Sequence, residues 1–421
     1  MANADKATRR ILLLTTATTY RTQAFAEAAL RLGVEVVTAT DMPHELAEFW
    51  HEELGLRFND LDQATEAIIA FAATKPLCAL LAVDDSGSLL AAQASAALGL
   101  VHNSPAAAEA ARNKYRMRTL LQKAAVASPP FRLCSTAEDI QVLAHEVCYP
   151  CVVKPLELSG SRGVIRANNP AECVAAIARL AELLHTLNPA DEAQPFLIED
   201  FIPGFEIALE GLLDDGQLHV LTLFDKPDPL DGPFFEETLY VTPSRLPADV
   251  QAAIAECAAQ AAAALGLVVG PLHAELRVNE QGPWIVELAG RSIGGLCSQT
   301  LRFDEGMSLE ELILRQACDL PLPLLQREQQ ARGVMMIPIP RAGMLACFEG
   351  VAEAEAVPGI EQVEITARLY YPLVPLPEGD SYLGFIFAQG DTPDEVEQAL
   401  REAHRCLHFE LKPTIPLLQL A

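Results

Sequence analysis

The chain has 421 residues, half of them apolar, and 57 acids against 30 Lys and Arg, for a net charge of −27. That length exceeds one ordinary core and predicts about two to four domains. So acidic a surface repels phosphate backbones and anionic bilayers, which excludes nucleic acid and membrane surface as partners; a nucleotide fits only where basic side chains and a divalent metal reverse the local field.

Lys6, Arg9 and Arg10 precede the apolar run Ile11–Leu14, and Ala24-Phe25-Ala26 looks like a cleavage site. The run stops at Thr15, short of the roughly 7–15 residues a secretory segment needs, so it predicts a first strand. A helix over 21–32, closed by Gly33, a strand over 34–38, a strand over 77–83 and a helix over 89–98 follow. Strands alternating with helices predict a parallel sheet covered on both faces. The turn after the first strand, Thr15–Thr19, has no GxGxxG, so a dinucleotide fingerprint is absent.

One helix is predicted over 104–125, then strands over 146–155 and 196–201, and a hairpin of 206–213 with 218–224 across Asp214-Asp215-Gly216. The Ala-rich helix 247–265 carries Glu256 and Gln260 and ends at Gly266, so it packs rather than spans. A mostly β region follows, with strands at 333–340 and 360–369 and a final helix at 392–407. Of ten scattered cysteines, only Cys148 and Cys151 have redox or metal spacing, without a second pair; they read as core thiols of a reducing, cytoplasmic protein.

Three segments carry chemistry. Lys154 ends an apolar strand and leads into a loop with Ser159, Gly160, Ser161 and Gly163, where small residues let N–H groups approach phosphate. Glu199 and Glu206 flank Phe201-Ile202-Pro203-Gly204, a short link able to offer backbone groups to a base and a carboxylate to ribose hydroxyls. Last comes a hairpin, 271–279 with 283–291. A three-residue loop Glu280-Gln281-Gly282 places Asn279 opposite Pro283 and Glu275 opposite Glu287, with Leu276, Val278, Val286 and Leu288 on the other face. Like charges so placed repel, which calls for a bridging cation; hard oxygen donors favour Mg²⁺.

Two lysines forty residues apart (Lys114 and Lys154), a Gly-rich loop, the Glu199/Glu206 pair and two carboxylates before Arg291 together resemble the ATP-grasp superfamily. The resemblance implies a multidomain α/β and α+β fold. It has a pre-grasp parallel α/β domain (1–112), an ATP-grasp domain (113–320, its lid-bearing part about 125–200 and its metal-binding part about 201–320) and a mostly β extension (321–421). Lys114, Lys154 and Lys226 would bind ATP phosphates beneath a lid at Ser159–Gly163. Glu199 with the Phe201–Ile202 backbone would read adenine, Glu206 would bind ribose, and Glu275 and Glu287 would hold Mg²⁺, with Mn²⁺ as an alternative.

The superfamily often ends its metal motif as Glu-x-Asn-x-Arg; here Ala289 stands at the Asn and cannot coordinate. Glu287-Leu-Ala-Gly-Arg291 followed by Gly294-Gly295 resembles the bacterial L-amino-acid ligases and carnosine-synthase-like enzymes. The segment Glu237-Thr-Leu-Tyr240-Val-Thr-Pro-Ser244 and the tail at 384–390 resemble that branch as well. Tyr240 stands where the branch usually has His, so Glu237 carries over as an amine-recognition residue and Tyr240 as a pocket wall or hydrogen-bond donor. His273, Arg291, Gly294 and Gly295 complete the implied substrate side, with Arg291 and Lys154 catalytic.

The implied activity is an ADP-forming ligase that joins two L-amino acids through an acyl phosphate, with amino acids and ATP as its small-molecule partners. A homodimer is expected only because such pairs are the commonest assemblies. A ligase of purine or cofactor biosynthesis, or a biotin-carboxylase-like enzyme, fits the missing Asn and the tail less well. A non-catalytic ATP-binding protein should show damage at Lys154, Glu275, Glu287 or Arg291, and all four are intact.

Overall fold

A computed structural model describes residues 9–17, 19–50 and 53–413; Lys6 lies outside them. Four sheets organise the chain. The first is parallel, with β1 (Arg10–Thr15), β2 (Glu35–Asp41), β3 (Leu54–Leu56) and β4 (Ala79–Ala82) in the order β3-β2-β1-β4. Both of its faces are covered, which is why Ile11–Leu14 has no polar break. Ile11 and Leu13 pack with Phe25, Leu309 and Leu312, and Leu12 and Leu14 with Ile68, Leu90 and Ala94.

The expected helix over 104–125 is two helices, Pro105–Arg112 and Lys114–Lys123. Asn113 breaks it in an extended conformation, and its side chain caps the second helix by accepting from Arg116 N at 3.1 Å. The break turns Lys114 inward, its N–H donating to Leu156 O at 2.9 Å. Sequence periodicity alone does not register such a break, since both helices keep apolar residues in phase.

The second sheet is antiparallel, with β5 (Phe131–Ser135), β6 (Cys151–Pro155), β7 (Ile165–Ala167) and β8 (Pro195–Asp200) in the order β5-β8-β6-β7. The expected strand at 146–155 starts later, because Ile140–Glu146 is a helix capped by Asp139. Cys134, Cys151 and Cys173 are in this sheet's core, but Cys148 is exposed, so only one of the spaced pair is a core thiol.

The third sheet has eight antiparallel strands. They are β9 (Phe205–Asp214), β10 (Gln217–Asp225), β11 (Leu239–Thr242), β12 (Gly270–Asn279), β13 (Gly282–Ala289), β14 (Ala331–Ile337), β16 (Ile360–Ile365) and β18 (Gly384–Gly390). Their order is β13-β12-β9-β10-β11-β14-β18-β16, so the C-terminal strands extend the sheet that carries Glu275. A fourth sheet pairs β15 (Gly343–Glu349) with β17 (Pro372–Leu373) and β19 (His408–Lys412). Helix Ala248–Leu265 covers Ile207, Leu209, Ala274, Leu276, Ile285 and Leu288 of β9, β12 and β13. Alternation along the strands therefore places Glu206, Glu210, His273, Glu275 and Arg277 on the opposite face.

The hairpin differs from expectation in two ways that cancel. Asn279 pairs with Gly282 and Val278 with Pro283, so the connection is the two-residue Glu280-Gln281. The register then shifts between Glu275 and Leu276, and Val286 is the extra residue, which restores Glu275 opposite Glu287. The bulge also moves Val286 out of the core; Ile285, fully buried, takes the place expected for it.

Candidate active site

The β9–β12 register makes the site's first ion pairs. Glu206 lies opposite Arg277 and Glu210 opposite His273. Arg277 Nε donates to Glu206 Oε2 at 3.0 Å, while His273 bonds Glu210 through Nδ1 and Glu275 Oε1 through Nε2 at 3.3 Å. Lys226, just past β10, points into the same space. Its Nζ lies 2.5 Å from Glu237, 3.0 Å from Glu206 and 3.2 Å from Glu275, and 5.0 Å from the centre of the Tyr240 ring.

Charge explains how so many acids coexist. Burial opposes the Lys226 charge, but Glu237, Glu275 and Glu206 outweigh it and raise its pKa well above the usual lysine value. Burial likewise opposes Glu275, yet Lys226 and His273 pull it down to about 2. His273 loses to desolvation less than it gains from Glu210 and Glu275, and ends at about 9. Glu237 is raised, by burial first and then by Glu275.

Glu287 resolves the expected cross-strand repulsion differently. Its Oε2 lies 3.3 Å from Lys114 Nζ. Each of the facing acids thus has its own cation. Carboxylate oxygens of Glu206, Glu237 and Glu275 lie within 4.8 Å of one another, a hard-donor set suited to Mg²⁺. Among the described residues Glu287 is not in that group, so Glu275 is gathered with Glu206 and Glu237 rather than with its strand partner.

The Lys154 end is equally dense. Lys154 Nζ lies 2.6 Å from Glu199 Oε2, and the fully buried Arg118 reaches Glu199 Oε1 at 2.8 Å and Val286 O at 2.5 Å. Burial, with Arg118 and Lys114 nearby, lowers the Lys154 pKa to about 8 despite Glu199. The Glu199 carboxylate is thereby engaged by two cations. At the neighbouring link, Phe201 N donates to Pro150 O and Ile202 O accepts from Arg277. Among the described residues the Phe201 carbonyl and the Ile202 N–H make no other backbone hydrogen bond, which offers one acceptor and one donor, the complement of an adenine edge. Gly204 holds the link against β12, since a Cβ there would meet Val278 O at 2.2 Å.

The loop Ser159–Gly163 is tied down from the C-terminal region. Gly163 N donates to Pro377 O at 2.7 Å and Arg162 Nε to Glu378 O at 2.8 Å, while Lys114 Nζ donates to Leu158 O at 2.8 Å. Gly160, Ser161 and Gly163 are all left-handed, a conformation that costs the non-glycine Ser161 about 1–2 kcal/mol.

Arg291 lies on the loop after β13, with Nη2 2.7 Å from Asp85 Oδ2 and Nη1 2.9 Å from Ser292 O. Gly295 packs on Phe385, where a Cβ would stand 3.0 Å from the ring; nothing approaches a Cβ at Gly294. Tyr240 is buried against Phe224, and burial followed by Glu237 raises its phenol well above the ordinary range, so it stays neutral. Sequence reasoning does not reach Arg118, Glu210, Arg277, Asp85 or Arg21. Arg118 follows Lys114 by four residues and Glu210 follows Glu206 by four along a strand, so periodicity offers a signal for these two. Asp85 and Arg21 come from a different sheet and offer none.

An ATP-grasp domain family matches residues 147–300, and an L-amino acid ligase C-terminal domain family matches 335–412. Alanine–anticapsin ligase of Bacillus subtilis is 28% identical over 324 residues, spanning 71% of this chain and 68% of that protein. Carnosine synthase 1 of Gallus gallus is 30% identical over 278 residues, which is 60% of this chain and 29% of that longer protein. The L-amino acid ligase from Bacillus licheniformis superposes with a TM-score of 0.81 at 25% identity, covering 97% of this chain and all of that one. A phosphoribosylglycinamide synthetase from Anaerococcus prevotii, at 16% identity and a TM-score of 0.67, shares the fold. The chain thus carries an ATP-grasp domain and, behind it, an L-amino acid ligase C-terminal domain.

Proposed function

We propose that this chain is an ADP-forming ligase that joins two L-amino acids, and that the face built from β9, β12 and β13 is where it does so. The observation that carries the assignment of the site is the convergence of Glu206, Glu237 and Glu275 on Lys226, with Lys114 and Glu287 beside them. A carboxylate is a poor electrophile, so the donor amino acid first attacks the γ-phosphate of ATP, giving an acyl phosphate and ADP. The amine of the second amino acid then attacks the acyl carbon and phosphate leaves.

The residues divide this work by their charge and placement. Phe201 C=O and Ile202 N–H take the adenine edge, and Glu206 the ribose hydroxyls. Lys114, Lys154 and Lys226 face the phosphates, and the loop Ser159–Gly163 closes over them to keep water from the acyl phosphate. Once Lys226 and Lys114 turn from Glu275 and Glu287 to the phosphates, these two facing carboxylates would hold Mg²⁺, which would supply positive charge to the transferring phosphoryl oxygens. Arg291 takes the reacting carboxylate or the oxyanion, which its planar fork matches bidentately. Glu237 receives an ammonium group, with Tyr240 as a neutral wall behind it. A homodimer is the expected assembly on frequency alone.

The test is phosphate release from ATP across a matrix of amino-acid pairs, with mass spectrometry of the products. Release that depends on two amino acids and yields their condensation product is the expected result; release indifferent to the second amine overturns the ligase reading.

A further inference from the structure

Arg291 sits where local structure does little to aim it. β13 ends at Ala289, and residues 290–296 form no helix or strand. An arginine on such a loop loses much rotamer freedom when it adopts one pose, so something else must hold it. The partner comes from the other end of the chain. Asp85 opens helix Asp85–Leu98, directly after β4 of the parallel sheet, and its Oδ2 accepts from Arg291 Nη2 at 2.7 Å. Arg291 Nη1 donates to Ser292 O, and Nε has no acceptor among the described residues.

A second side chain from the N-terminal α/β region grips the same loop. Arg21, buried at the start of helix Thr22–Leu32, donates through Nη2 to Ser292 Oγ and through Nη1 to Val83 O at 2.8 Å and to Ser292 O at 3.4 Å. Residues 291–292 are therefore held from two points, Arg291 by Asp85 and Ser292 by Arg21. The ion pair is mostly shielded, with side-chain exposures of 13% for Arg291 and 18% for Asp85. A charge-assisted bond there is stronger than its surface counterpart.

We propose that Asp85 is a positioning residue for the ligase reaction: it holds Arg291 by one Nη so that Nε and the remaining N–H groups face the reacting acyl group. The N-terminal parallel sheet thereby contributes to the chemical step without touching substrate. The proposal rests on the ligase reading and on the role given to Arg291 within it.

The experiment compares wild type with Asp85→Asn, Asp85→Glu and Asp85→Ala, measuring kcat and KM for ATP and for each amino acid, ATP affinity by calorimetry, and thermal unfolding. Loss of an orienting group for one transition-state contact predicts that Asp85→Asn lowers kcat about 10²-fold. KM for ATP and ATP affinity should stay within about twofold, and Asp85→Glu should recover most of the loss. Formate or acetate added to Asp85→Ala should restore turnover saturably, a response that a brace between domains does not give. Should Asp85→Asn fail to fold, the formate response of Asp85→Ala or the rate of Asp85→Glu decides the matter. A kcat for Asp85→Asn within twofold of wild type, or no response to formate or to Glu, overturns the proposal. A lower amino-acid KM in Asp85→Asn also overturns it, because Asp85 would then compete with the substrate carboxylate. Wild type that shows no amine-dependent phosphate release removes the ligase reading, and this proposal with it.

Discussion

Glu275 and Glu287 face each other across β12 and β13, yet their carboxylates answer to different cations, Glu275 to Lys226 and His273 and Glu287 to Lys114. Opposed like charges weaken a sheet unless something compensates them. Here the compensation is built from Lys226, His273 and Lys114, and the proposed ATP phosphates would draw the lysines away while Mg²⁺ took their place on the carboxylates. Glu287→Gln keeps the shape and removes the charge. It should lower amine-dependent phosphate release about 10²-fold or more while leaving circular dichroism and the unfolding midpoint close to wild type. Activity within a few-fold of wild type would contradict the metal role.

Lys226 is the countercharge for three acids whose side chains are at most 18% exposed. Replacing it with Met leaves those acids facing one another in a poorly solvated space. Metal-free Lys226→Met should lose about 3–5 kcal/mol in urea unfolding, the cost typical of breaking a buried charge pair. Millimolar Mg²⁺ or Mn²⁺ should recover more stability in the variant than in wild type. A variant as stable as wild type without metal would show that the acids are protonated or hydrated instead.

His273 titrates in the folded protein at about 9, raised from 6.5 because Glu210 and Glu275 outweigh its burial. A base whose pKa rises on folding contributes stability that is complete below the unfolded value. That contribution is lost as pH climbs through the folded one. Metal-free wild type should therefore lose stability between pH 6.5 and about 9 relative to His273→Gln. The comparison cancels groups that titrate alike in both proteins, and parallel curves across that range would refute the assignment.

The loop Ser159–Gly163 and the segment 377–380 form a latch. Beyond the backbone bond from Gly163, Arg179 reaches Glu378 at 2.5 and 2.9 Å and Arg162 reaches Asp380 at 3.4 Å. These pairs are largely exposed, so each should be worth less than about 1 kcal/mol in a double-mutant cycle. Glu378→Ala should nevertheless speed limited proteolysis within 158–163 in the absence of ATP, with ATP restoring protection. Identical cleavage rates in both proteins would mean that the lid is held by other contacts.

Much of the site is legible as pattern. The parallel sheet, the hairpin around Asp214–Gly216 and the facing of Glu275 with Glu287 follow from local periodicity and turn chemistry. The last holds although turn chemistry predicts a loop one residue longer than the chain has, because a bulge at Val286 that no local signal marks offsets the difference. The break at Asn113 was equally hidden, because a capping side chain and a helical one look alike until Leu156 O accepts the Lys114 N–H.

Which acid answers which cation was beyond the sequence, because electrostatic partnership depends on distances between strands remote along the chain. Composition and motif order determined that a nucleotide-handling α/β protein with a ligase-like tail is encoded here; those properties are local, and each segment carries its own share. Only the tertiary structure decided that Lys154 and Arg118 occupy the Glu199 carboxylate, that Lys226 gathers Glu206, Glu237 and Glu275, and that Asp85 and Arg21 reach 206 and 271 residues along the chain to Arg291 and Ser292. Buried charges must find opposite partners wherever the packed sheets bring them together, and that choice is made in space.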